Sequence, residues 1–509
     1  MTTSDAAGSA EDDARTLMAR RIRGVLAVDP GATALTFQGR SFPWSYYADA
    51  IADLDTLLAG FPDAKRVGIV LRNRPAQLSA VVATIATGRS VVTLSPHLGD
   101  VGLAEDIIDQ APDVLIADTD DWSREAVTAA AESVGAVPVC AGVERALVSH
   151  PVSWLPAPAL KPTGGVAVLM MTSGTTGRPK RVELTYPKMV AAFRAAGTPV
   201  DDAQEPRLYN RPAILWASLA HISGLYFVIA HALEGRGVAL LEKFDVDDWV
   251  ELVREHRPGY VRLAPTALRM VLNAELPREV FESVSAVGSG TAPLPPDLAD
   301  AFEERYGVPV LGVYGATEFA GAIAGWSLKA KREWGARKRG SAGRAHPGVE
   351  LRIVDPQNGD LRPTGQVGLL EARGGQLSDD GSWVRTTDLA SLDEDGFLFI
   401  HGRADDAINR GGFKIPPSVI EDALAEHPAV DESSAVGVPH VRLGEVPVVA
   451  VTLTGPATED ELLEFLAQRL TRYQRPVELK IVDQLPRTPS MKISRAIVRE
   501  QIFRAGRKA

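Results

Sequence analysis

Val166-Ala167-Val168-Leu169-Met170-Met171-Thr172-Ser173-Gly174-Thr175-Thr176-Gly177-Arg178-Pro179-Lys180 is the stretch from which the rest of the chain can be read. An apolar run leads into two glycines, four hydroxyls and a closing lysine. Glycines let backbone N–H groups turn toward a ligand, hydroxyls donate to oxygens, and a lysine neutralises charge. That combination suits a polyphosphate. The Walker spacing G-x-x-x-x-G-K-[ST] is absent, and a proline stands before Lys180, so a different phosphate-holding loop is expected.

On both sides of this stretch, short β-branched runs alternate with helical stretches. Arg66–Leu71, Ser90–Leu94, Asp113–Ala117, Pro212–Leu215, Gly237–Leu241 and Pro309–Val313 read as buried strands, with an Ala-rich helix over Ala80–Thr87 among the segments between them. Continuous apolar strands separated by helices predict parallel sheets covered on both faces. Near Gly343 the texture changes to polar–apolar alternation with Gly, Asn and Asp turns, as in Val349–Val354 and Gly368–Ala372, which predicts a small, largely antiparallel β unit. A last α+β stretch begins near Arg403. The expected architecture is α/β: a large N-terminal domain of parallel-sheet α/β subdomains with a small β-barrel-like unit, and a small mobile α+β C-terminal domain. The expected boundaries are a disordered tail over 1–13, the N-terminal domain over 14–402 and the C-terminal domain over 403–509.

Further motifs follow in order. They are Ala220-His221-Ile222-Ser223-Gly224, Gly288-Ser289-Gly290-Thr291-Ala292-Pro293-Leu294, Tyr314-Gly315-Ala316-Thr317-Glu318 and Val384-Arg385-Thr386-Thr387-Asp388. Gly402-Arg403-Ala404-Asp405-Asp406 comes next with Gly412-Phe413-Lys414-Ile415 beyond it, then Pro486-Arg487-Thr488-Pro489-Ser490-Met491-Lys492-Ile493. With Thr172–Lys180 they resemble, in sequence order, the signatures of the adenylate-forming superfamily of acyl-CoA synthetases, nonribosomal adenylation domains and luciferases.

The resemblance implies an ATP-dependent ligase that joins an acid to the α-phosphate of ATP, releases pyrophosphate and passes the acyl group to an acceptor, coenzyme A first. Two anions must meet in such a reaction. At about 3.5 Å and an effective dielectric of about 20 their repulsion is roughly 5 kcal/mol, and cancelling it is worth on the order of a thousandfold in rate. The resemblance assigns that task to Lys492. It assigns ATP binding to Thr172, Ser173, Gly174, Thr175, Thr176, Lys180, Gly290, Thr291, Ala292, Tyr314 and Gly315, with Tyr314 on the adenine. Thr317 is assigned to the α-phosphate, Glu318 to Mg²⁺, Asp388 and Arg403 to the ribose, His221 to the acid and Asp405 to a hinge. Read alone, an Asp after two threonines is a turn residue, a lysine near a basic C-terminal helix is solvated, and a His in an apolar run belongs to a core. Arg181 and Thr387 stand where the family has glycine, Ala220 where an aromatic is common, and Met491 where glycine precedes the lysine. These departures keep two other acceptor chemistries open: an amine giving an amide, or nitrite activation giving a diazo product. A nucleotide-binding protein without catalysis is the remaining alternative.

Composition limits the partners. Lys+Arg is 54 and Asp+Glu 65, so the net charge of −11 argues against nucleic acid and anionic membranes. The single cysteine, Cys140, forms no internal disulfide, and the opening Met1–Arg15 carries acid where a secretory leader wants lysine. A cytoplasmic monomer or homodimer acting on a small acid and ATP is expected, with no carrier domain fused at the C-terminus. A basic island, Lys329–Arg344, is expected to border the site and draw phosphates.

Overall fold

The computed structural model describes residues 3–172, 180–201, 203–404, 406–410, 413–488 and 492–504. Two compact units divide the chain. One runs to Val349 and also takes Arg373–Ser382; the other holds Glu350–Ala372 and everything from Trp383 onward.

The first unit contains three sheets. In a seven-stranded sheet, Val137–Ala141, Val114–Ala117, Arg66–Val70, Ser90–Leu94 and Val166–Thr172 run parallel, in that spatial order. Leu147–Ser149 and Lys180–Thr185 close its two edges antiparallel. These strands are almost continuously buried, which is why their sequences show no alternation. A four-stranded sheet orders Tyr209–Leu215, Arg236–Leu240, Thr33–Phe37 and Arg40–Pro43. In the third sheet, Tyr260–Arg262, Ala286–Ser289 and Val310–Ala316 run parallel and are followed by antiparallel Gly321–Gly325 and Arg344–Ala345.

The tail expected over 1–13 is helical from Thr3, as the start of a helix reaching Leu26. Its acids lie in the N-terminal half and its arginines in the C-terminal half, matching the helix dipole. Met18, Ile22 and Val25, spaced for one face, are fully buried.

In the second unit, Glu350–Val354, Gly368–Arg373, Val384–Leu392 and Leu398–Arg403 form the antiparallel sheet expected from alternation. The expected boundaries put this sheet with the N-terminal domain; here it falls in one compact unit with the residues from Trp383 onward. Ala404 N donates to Thr387 O at 2.7 Å, and Ser418 Oγ donates to His401 O at 2.9 Å. Beyond it, Phe413–Ile415, Ile408–Arg410, Gly444–Leu453 and Val430–His440 make a last sheet, with Glu478–Ile481 parallel to Gly444–Leu453. Among the described residues no helix is long and apolar enough to cross a membrane.

Candidate active site

The segment expected to hold phosphate is flanked by two paired strands. Met171 pairs with Arg181 and Thr172 with Lys180, so strands Val166–Thr172 and Lys180–Thr185 are antiparallel neighbours at a sheet edge. Ser173, Gly174, Thr175 and Thr176 lie outside the described residues. Arg181 accounts for one departure from the family pattern. Its guanidinium donates to both Asp106 oxygens, the longer at 2.6 Å, and to the carbonyls of Thr93 (2.7 Å) and Leu169 (3.2 Å). The strand pair is thereby tied to helix Asp100–Gln110 and to strand Ser90–Leu94. Burial raises the Asp106 carboxyl above its ordinary pKa, with Arg181 pulling the other way.

His221 caps helix Ile222–Glu234, its N–H donating to Ser218 O at 3.0 Å. The glycine three residues on has a steric reason: a Cβ on Gly224 would run into the Ser218 carbonyl and lie 2.6 Å from the Ala217 carbonyl. The turn at 217–219 is itself pinned by buried Asn73. Its amide donates to the carbonyls of Trp216 (3.0 Å), Ala217 (3.1 Å) and Leu241 (3.2 Å), and its oxygen accepts from Leu219 N (3.0 Å). Asn73 escaped sequence reading; the signal was a polar residue between an apolar strand and a helix opening on Pro75. Ala220 is buried beside this turn. Gly224→Ala is expected to lower stability by about 1–3 kcal/mol and to raise KM for the acid, because two backbone carbonyls must move. Thermal melting and steady-state kinetics, with Ser223→Ala as control, check this.

The other first-unit motifs gather where ligand sites lie in open parallel sheets, at the carboxyl ends of adjacent strands. Ser289 is level with Gly312 in the register, so Gly290, Thr291 and Ala292 leave their strand beside the one that carries Tyr314 and Gly315. Thr291 has φ +71°, a left-handed conformation unusual for a β-branched residue and typical of strained functional loops. A Cβ on Gly315 would collide with Gly321 O, so only glycine permits that close strand pairing. Thr317–Phe319 form a 3₁₀ turn that presents half-buried Thr317 and exposed Glu318. Gln376, also unforeseen, holds this turn from behind, its amide donating to Phe319 O (2.8 Å) and Ala322 O (3.1 Å). No cation pairs with Glu318 among the described residues. One open carboxylate that leaves room for phosphate and water oxygens fits Mg²⁺.

Within the second unit, Asp388 and Arg403 are direct register partners on neighbouring antiparallel strands, so their side chains share a face. Asp388 N donates to Thr386 Oγ1 at 3.0 Å. Thr387, the second departure, alternates to the exposed face, where a side chain displaces nothing. Beneath this sheet Glu371 binds Arg352 and Arg385, at 2.6 and 2.8 Å. Burial would raise its pKa, but the two guanidinium groups take it below the carboxylate norm. Exposed Lys492 lies in a narrow hairpin: Thr488 N donates to its carbonyl at 2.7 Å, and Arg487 bridges to Ile493. Arg495 fastens that hairpin to Glu421 (2.7 Å) and Asp406 (3.1 Å). Asp405, Gly412 and Met491 lie outside the described residues.

The basic island differs from expectation. Arg339 is ion-paired with Asp297 and Asp300, and Lys331 with Glu303 at 2.9 Å, while Arg337, Lys338 and Arg344 gather on the Trp334 ring. Two of its seven cations, Lys331 and Arg339, are thus answered by helix Pro296–Tyr306.

A family model described as AMP-binding enzyme matches residues 23–379, and one described as AMP-binding enzyme C-terminal domain matches 419–492. The chain belongs to the AMP-binding enzyme family. In fold it is an adenylate-forming enzyme. Within that family, 4-coumarate–CoA ligase 3 of Oryza sativa subsp. japonica is 32% identical over 362 residues, which is 66% of this chain and 64% of the rice protein. ATP-bound MatB from Rhodopseudomonas palustris superposes with a TM-score of 0.82 at 25% identity, covering 97% of this chain and 100% of that one. The amide bond synthetase McbA from Marinactinospora thermotolerans superposes with a TM-score of 0.79 at 27% identity, covering 96% and 99%.

Proposed function

We propose that this AMP-binding enzyme activates a carboxylic acid as its AMP ester, with release of pyrophosphate, and transfers the acyl group to coenzyme A in the cytoplasm. The observation that carries this reading is the alignment of Thr291 and Tyr314–Glu318 at the carboxyl ends of neighbouring parallel strands. In this reading Thr172–Thr176 and Lys180 hold the β- and γ-phosphates, Tyr314 lies on the adenine, and Thr317 donates to the α-phosphate. Asp388 and Arg403 hold the ribose, and His221 faces the acid carboxylate. Glu318 would hold Mg²⁺, which when bound offsets phosphate charge. Lys492 donates to both the acid oxygen and the α-phosphate, lowering their repulsion as they meet. The domain from Arg403 turns about Asp405 between the two half-reactions.

The acceptor is assigned by likeness to the rice CoA ligase. Likeness to the amide bond synthetase favours a second reading with the same first step and an amine as acceptor. A mass-spectrometric screen of acids, and of nitrite, with ATP and Mg²⁺ and either CoA or amines separates them. CoA thioesters are expected. Amides alone or diazo products would replace the first reading, and pyrophosphate exchange at background with every candidate would leave a nucleotide-binding protein.

A further inference from the structure

The sheet of Tyr260–Arg262, Ala286–Ser289 and Val310–Ala316 has two unlike faces. Val261, Val287 and Val310 point into a packed core. Tyr260 and Arg262 alternate to the other face, where Arg262 is level with Gly288. That face is cut low by glycine. The Tyr260 hydroxyl occupies the space a Cβ on Gly288 would need, and a Cβ on Gly290 would come within 3.0 Å of Val313 O. Into this low ground Arg262 sends its guanidinium, with Cζ 3.4 Å from the centre of the Phe227 ring, on the helix that His221 opens.

Among the described residues the Arg262 guanidinium has no hydrogen bond and no carboxylate partner, and Tyr260 is 40% exposed. Arg72, Arg74, Arg124 and Arg181 each meet at least one carboxylate, whereas Arg262 meets an aromatic ring. Stacking on an aromatic ring holds a guanidinium in place while leaving its N–H fork free to bind an oxyanion in its plane. The charge reaches the helix interior. His231, one turn beyond Phe227, is pushed down to about 3 by burial first and then by Arg262 and Arg236.

Resting on the reading that the chain adenylates an acid, we propose that this acid carries a second oxyanion, a carboxylate in the simplest case, recognised by the Arg262 guanidinium with the Tyr260 hydroxyl beside it. Phe227 lies six residues beyond His221, about 9 Å along a helix axis. The two anionic groups of the substrate are therefore separated by an aryl ring or a short alkyl spacer. Arg262 is a specificity-determining residue: it touches the end of the acid away from the reacting carboxylate.

The test measures ATP-dependent pyrophosphate release with pairs of acids that differ only in a distal carboxylate, using the full chain and its Arg262→Met and Arg262→Lys variants. Wild type is expected to favour the diacid of a pair by about a hundredfold in kcat/KM. Arg262→Met should lose that preference through KM, leaving the monoacid within about threefold, and Arg262→Lys should recover part of it. A purely structural arginine would lower both members of a pair alike. That result, or wild-type activity on monoacids alone, would overturn the proposal while leaving adenylation intact. Release with neither member of any pair would overturn the adenylation reading and this inference with it.

Discussion

Lys492→Ala is expected to lower adenylate formation by a thousandfold or more while leaving transfer from a supplied acyl-adenylate within a few-fold of wild type. The lysine matters where two oxyanions approach, and the roughly 5 kcal/mol of repulsion there has no counterpart once AMP is the leaving group. The hairpin carrying it is anchored independently of the side chain, by Arg495 to Glu421 and Asp406 and by the Arg487–Glu432 pair, so truncation should not unfold the segment. Pyrophosphate exchange measures the first step, and thioester release from synthetic acyl-adenylate measures the second. Equal losses in both would show that Lys492 supports the domain rather than the first reaction.

Asp388→Ala is expected to weaken ATP binding by tenfold or more without unfolding the second unit. Two charge-assisted hydrogen bonds to a ribose diol are each worth roughly 1.5–3 kcal/mol. Because Asp388 and Arg403 face each other across one strand pair, their effects should not add: with Asp388 already gone, removing Arg403 should cost less than it does in wild type. Calorimetry with ATP on the two single variants and the double variant closes the cycle. Additive losses would mean that the two side chains serve separate ligands.

The parallel strands were legible because most are unbroken apolar runs, and the family because its motifs stand in order along the chain. What stayed hidden depends on partners distant in the chain. Arg181 meets Asp106 across 75 residues, and Asn73 meets Trp216 across 143. In the sequence Arg181 is only an odd residue after a loop, and Arg262 one more arginine at the end of a short strand. The N-terminal helix was missed because small and acidic residues suggest a solvated tail, while Met18, Ile22 and Val25, which hold it down, come later. Thr387 could be understood only from the face its strand presents.

The strand pair that joins Asp388 to Arg403 turns back at Asp393–Gly396, where Gly396 N donates to Asp393 O at 3.0 Å. Dividing the gene inside that turn would put the two residues proposed to hold the ribose on separate polypeptides. Neither fragment would carry a complete nucleotide grip, and reassociation would rebuild it strand against strand. If the two side chains hold the ribose as proposed, a cut in this hairpin is expected to abolish nucleotide binding until the fragments pair again.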